Sequence, residues 1–157
     1  MIPELIPALR QLEENYEALR ISLDSVPDDK LGWSPGGDTN PISVIVQHIA
    51  RGNLVYATMI GPTDQRPPWR PEPSISRQDL LGRLDNSLAT SRDTLAGVTA
   101  ENLRESRCDD WCPNCDEQLI QGPLDAEWFA LQMARHTAYH LGQVNLYLRM
   151  LDNKPAE

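Results

Sequence analysis

From Leu5 onward the apolar residues Leu5, Leu9, Leu12, Tyr16, Leu19 and Leu23 recur at alternating steps of four and three, while Glu13, Glu14, Glu17 and Arg20 fall between them. This period draws one apolar stripe along a helix. The VPDD run at 26–29 supplies a proline and turn-forming aspartates, so the helix is expected to end there. After a loop, LGWSPGGDT, Asn40–Pro41 reads as the next helix start. The asparagine amide can cap free N–H groups, and proline at the first helical position gives up no hydrogen bond. This second helix is expected to reach Ile60, with Ile42, Ile45, Ile49, Val55, Tyr56 and Met59 on its stripe and His48 among them.

The stretch GPTDQRPPWRPEP carries five prolines and cannot continue a helix, so an extended connection, long enough to cross the bundle, is expected over 61–73. Ser76 followed by Asp79 resembles a capping box and opens a third helix through Leu81, Leu84, Leu88 and Leu95, with Gly97 closing it. Residues 99–123 are polar and read as loop with a short helical turn. A fourth helix starts near Leu124 or Asp125 and aligns Phe129, Met133, His136, His140, Val144, Tyr147 and Leu151. Four amphipathic helices without alternating β-branched runs predict an all-α four-helix bundle with a long crossover connection, occupying residues 1–157 as a single domain.

Charge narrows the partners. A net charge of −9 and a pI near 4.7 argue against nucleic acid and anionic membrane surfaces, which attract basic proteins. Small molecules and other proteins remain. No stretch approaches the roughly 20 apolar residues of a membrane span, and MIPELIPALR has neither a charged leader nor a continuous apolar core. Three cysteines are an odd number, ill-suited to a two-bridge secreted framework. A cytoplasmic location is expected.

The chain holds only three histidines, and two of them, His136 and His140, stand four apart in ARHTAYHLGQ. On a helix this spacing puts both imidazoles on one side, about one turn apart. They can grip a metal, serve as hydrogen-bonded core residues, or lie on the surface without consequence. His48 on the second helix also takes an inward position, so the bundle core can bring all three imidazoles together, as metal sites in such bundles are built. Ordinary core histidines stay an alternative at this point.

SVIVQHIARGNLVY, preceded by a W-S-P-G loop, and RHTAYHLGQVNLYLRM near the C-terminus resemble the two motif blocks of the DinB-like family of four-helix-bundle metalloproteins, which is distinct from the polymerase of that name. The resemblance covers nearly the whole chain in helix order and length. It implies a DinB-like bundle in which His48, His136 and His140 hold a divalent metal, and it implies a homodimer. Three neutral imidazoles leave an open coordination position, and such nitrogen donors suit zinc, nickel or iron. Position 137 is Thr137 where a zincin HExxH motif places its glutamate base, so the helix supplies no such base. A thiol substrate needs none, because the metal itself acidifies it. Relatives with this bundle include thiol-cofactor transferases and a thiol-dependent isomerase, an analogy only.

Two function classes follow. One is a metal-dependent enzyme acting on a small molecule, of thiol S-transferase or hydrolase type, with a low-molecular-weight thiol as partner. The other is a non-enzymatic metal-binding or sensing bundle. No residue is given a catalytic role, although Gln143 and Tyr139 lie close enough in sequence to orient a ligand, and no organic cofactor is expected. CDDWCPNC places Cys108, Cys112 and Cys115 in CxxxCxxC spacing. A radical-enzyme iron–sulfur cluster does not fit so short and helical a chain. A structural zinc with Asp109, Asp110 or Asp116, a redox-active Cys112–Cys115 pair, and plain loop thiols stay open. Trp33 either lines the mouth of the histidine site or plugs the end of the bundle.

Overall fold

Each apolar stripe becomes the buried side of a helix. The computed structural model describes residues 1–61, 70–105 and 124–152. In them are helices α1 (Ile6–Asp24), α2 (Ile42–Ile60), α3 (Arg77–Ala96) and α4 (Ala126–Asp152), with short 3-10 turns at Pro3–Leu5 and Asp28–Lys30. No strand occurs among the described residues. The cysteine cluster, with the roles weighed for Cys108, Cys112 and Cys115, lies outside them, as do Trp69, Trp111 and most of the proline-rich run. No helix among the described residues is long and apolar enough to cross a membrane.

Burial overrides local propensity most visibly in α2. Its first turns are rich in β-branched residues, each of which lowers helix stability by about 0.5 kcal/mol relative to alanine. Ile42, Val44, Ile45, Val46 and Ile49 are all buried, and each such burial returns about 1.5–3 kcal/mol. Packing therefore decides the helix. Its start differs from the Asn40 cap expected from sequence. Pro41 occupies the cap position with no side-chain bond, and the first N–H groups go instead to loop carbonyls, Ile42 N to Trp33 O at 3.0 Å and Ser43 N to Leu31 O at 2.9 Å. The α3 cap forms as expected: Ser76 Oγ accepts from Asp79 N at 3.1 Å and donates to the Asp79 carboxylate at 2.6 Å. Asp125 caps α4, accepting from Trp128 N at 2.9 Å while Arg104 holds its other oxygen at 3.0 Å.

Contacts fix the helix directions. Asn15 meets Ala134 and Ser22 meets Asn145, so α1 and α4 run parallel. Gln47 meets Arg83 near the start of α2, and Gly61 lies by Thr94 near the end of α3, so these two are also parallel. Tyr16 meets Ser87 while Arg92 bonds Glu13, which makes α1 and α3 antiparallel, and the histidine pairs below do the same for α2 and α4. The order is up, down, down, up. α1 and α2 are thus diagonal, as are α3 and α4, whereas α2 and α3 are neighbours.

The connection between α2 and α3 joins two parallel neighbouring helices, the long crossover expected from the proline-rich run. Its described end is pinned to α2: Gln47 accepts from Glu72 N at 3.0 Å and donates to Glu72 O at 2.9 Å, and Ser43 donates to Pro73 O at 3.1 Å. Arg77 ties the same end of α3 to α1. Its guanidinium donates to the Leu23 and Val26 carbonyls and pairs with Asp28, capping the negative end of the α1 dipole.

Candidate metal centre

Because α2 and α4 are antiparallel, the four-residue step from His48 to Gly52 faces the four-residue step from His136 to His140. His48 therefore meets both imidazoles of α4, with ring centroids 4.9 Å from His136 and 4.7 Å from His140. The two α4 rings are 4.7 Å apart. One donor atom from each ring lies within 4.8 Å of the others, and all three residues are half-buried. No carboxylate or thiol joins the group among the described residues.

The donor atoms suit a divalent ion. The Nε2 atoms of His48 and His136 stand 3.0 Å apart. Bonds of about 2.0–2.1 Å to imidazole set tetrahedral donors about 3.3 Å from each other. Without an ion, this contact requires one ring to carry its proton on Nε2; with one, both lone pairs are used. His140 Nδ1 lies 3.1 Å from the Gln143 side-chain oxygen, which fixes the proton on Nδ1 and leaves Nε2 as the free donor. Gln143 in turn donates to the Tyr147 hydroxyl at 3.3 Å. Burial, then the neighbouring His140 and His48, pushes the His136 pKa down to about 3. Burial also lowers that of His48, followed by His140 and Arg51. Both rings are neutral at neutral pH, the form that binds metal.

A sequence profile of the DinB superfamily matches residues 11–144. The chain belongs to the DinB superfamily. No curated protein matches it. A solved structure described as the conserved protein of locus from Enterococcus faecalis superposes with a TM-score of 0.73, covering 98% of this chain and 100% of its own, at 14% identity. That likeness concerns the fold.

In this DinB-superfamily bundle the three histidines named from sequence come together, and Gln143 orients one of them. Tyr139 stands beside His140, ring centroids 4.9 Å apart, and is 74% exposed, so it borders the site from the solvent side. Trp33 packs edge-on against Tyr147 at 5.9 Å, behind the Gln143–Tyr147 link. Thr137 is fully buried and donates to Met133 O at 2.8 Å, so the zincin base position points into the core.

Two residues next to the site escaped the sequence reading. A Cβ on Gly52 would stand 2.4 Å from His136 Cε1. Asn53, fully buried, donates to Thr137 Oγ1 at 2.9 Å and to Tyr16 Oη at 2.8 Å. Glycine and asparagine inside an amphipathic stripe look like local defects, and only the partner helix gives them meaning. Tyr56 also borders the centre, edge-on to His136 at 5.8 Å.

Proposed function

We propose that His48, His136 and His140 hold one divalent ion, zinc, nickel or iron, and that the protein is a metal-dependent enzyme acting on a small molecule, of thiol-transferase or hydrolase type. The observation that carries this reading is the convergence of three imidazoles with no carboxylate beside them among the described residues, a donor set that leaves a coordination position open. When bound, the ion supplies Lewis acidity that lowers the pKa of a thiol or water brought to it. The chain's own residues keep the donors ready: burial holds His136 and His48 unprotonated, and Gln143 holds the His140 proton on Nδ1. With position 137 turned into the core, no side chain there takes a proton from water. A low-molecular-weight thiol is therefore the favoured substrate.

The lack of a base at position 137 also supports a second reading, a non-enzymatic metal-binding or sensing bundle. Homodimer formation belongs to the proposal as well. Leu131, Tyr139, Leu146 and Met150 are exposed on α4 and fall within an arc of about 100°. A cytoplasmic location is supported by the odd number of cysteines.

Protein purified without a histidine tag is expected to carry one divalent ion per chain and to lose it in His136→Ala. Equal metal content in both overturns the site. Conjugation of a small thiol to an electrophile that stops on chelation and in His140→Ala supports the enzyme. Thiol consumption indifferent to chelation but lost in Cys112→Ser assigns the chemistry to the cysteines instead.

A further inference from the structure

We propose that Gly52 is a positioning residue of the metal centre: the volume its missing side chain leaves open is the seat of the His136 imidazole. The proposal rests on the three-histidine reading above. Gly52 lies in the middle of α2, where glycine weakens a helix relative to alanine and no turn or left-handed backbone calls for it. Across the interface, a Cβ at this position would stand 2.4 Å from His136 Cε1 and 3.1 Å from each ring nitrogen. Carbon atoms pack at about 3.5–4.0 Å, so an added methyl group and the present imidazole cannot coexist.

Something must then move, and the neighbouring residues determine what. The next residue on each helix forms a direct bond, Asn53 Nδ2 to Thr137 Oγ1 at 2.9 Å, and the same amide reaches Tyr16 Oη on α1 at 2.8 Å. Breaking that bond would strand buried polar groups. The α2–α4 spacing is therefore held, and the ring at the end of a rotatable side chain yields instead. The His136 Nε2 that now faces His48 Nε2 at 3.0 Å is carried away, while the fold stays intact.

The test is cobalt binding followed by visible absorption, with melting of the metal-free protein as the measure of the fold. Gly52→Ala is expected to melt at or above the wild-type temperature yet bind cobalt about 10- to 100-fold more weakly, the range seen when support around a metal ligand is lost. Its absorption spectrum should shift as well. In a His136→Ala background the clash is gone, so adding Gly52→Ala should not lower the melting temperature. Wild-type affinity and spectrum in Gly52→Ala would overturn the proposal while leaving the three-histidine site standing. Destabilisation by Gly52→Ala of the same size in both backgrounds, or failure to fold in both, would also overturn it, because the glycine would then serve the helix pair rather than His136. Absence of cobalt binding in the wild type would overturn both this proposal and the site.

Discussion

Gly52 and Asn53 are adjacent on α2, His136 and Thr137 are adjacent on α4, and the two facing pairs have opposite characters. At Asn53–Thr137 the protons are fully placed. The two amide hydrogens of Asn53 go to Thr137 and Tyr16, Tyr16 donates to Ser87 Oγ at 2.7 Å, and Thr137 and Ser87 pass their own protons to Met133 O and Leu84 O. Burial raises the Tyr16 pKa and keeps its phenol in the protonated, donating form. This network joins all four helices. One step away, at Gly52–His136, the imidazole Nδ1 is buried without a hydrogen-bond partner among the described residues, and its Nε2 faces another lone-pair donor. A helix turns about 100° per residue, so one position separates a hydrogen-bond network across the core from a half-buried rim. Stability is expected to depend on the first pair, and the proposed metal site takes the second.

The largest way to break this contrast is Asn53→Ala. It removes two buried bonds and leaves the Thr137 and Tyr16 hydroxyls short of a donor, so the unfolding free energy should fall by about 2–3 kcal/mol. The loss is limited because Asn53 Oδ1 is itself unpartnered. His136→Ala, by contrast, should leave the metal-free protein within about 1 kcal/mol of wild type. Urea denaturation of both variants without metal measures the difference. Equal losses would show that the two pairs do not divide stability and chemistry as argued.

Gln143→Leu sharpens the rim side alone. The substitution leaves the His140 ring in place but removes the oxygen that orients it, so cobalt affinity should drop about tenfold with little change in melting. Titration against a competing chelator measures this. Unchanged affinity would mean that helix packing alone orients His140.

How much of this was written in the sequence depends on whether a feature is local. The three- and four-residue apolar steps of α1, the Ser76–Asp79 cap and the Asp125 start of α4 are settled within one turn, and each forms where expected. The histidine triad was legible because the HxxxH spacing states its own geometry and His48 shares an apolar stripe. The Asn40 cap failed because loop carbonyls of Trp33 and Leu31 reach the helix start first, a tertiary contact. Gly52 and Asn53 were hidden for the same reason: each answers a residue more than eighty positions away.

The last effect expected is that of pH on the metal-free protein, and its sign follows from which state binds the proton. His136 titrates at about 3 when folded, against an ordinary value of 6.5, because burial and the neighbouring imidazoles oppose its charge. Below pH 6.5 the unfolded chain therefore binds a proton that the folded chain refuses, and stability falls as pH falls. From pH 7.5 to 5.5 this ring should cost about 1.4 kcal/mol, with the lowered pKa of His48 acting in the same direction. Well above pH 6.5 neither state binds the proton and the curve flattens. Comparing wild type with His136→Ala at each pH isolates the contribution, since the variant lacks the group. Parallel stability curves for the two between pH 7.5 and 5.5 would mean that the folded ring takes up its proton as easily as the unfolded one. The site would then not be as dry as the packing of His136 against Gly52 requires.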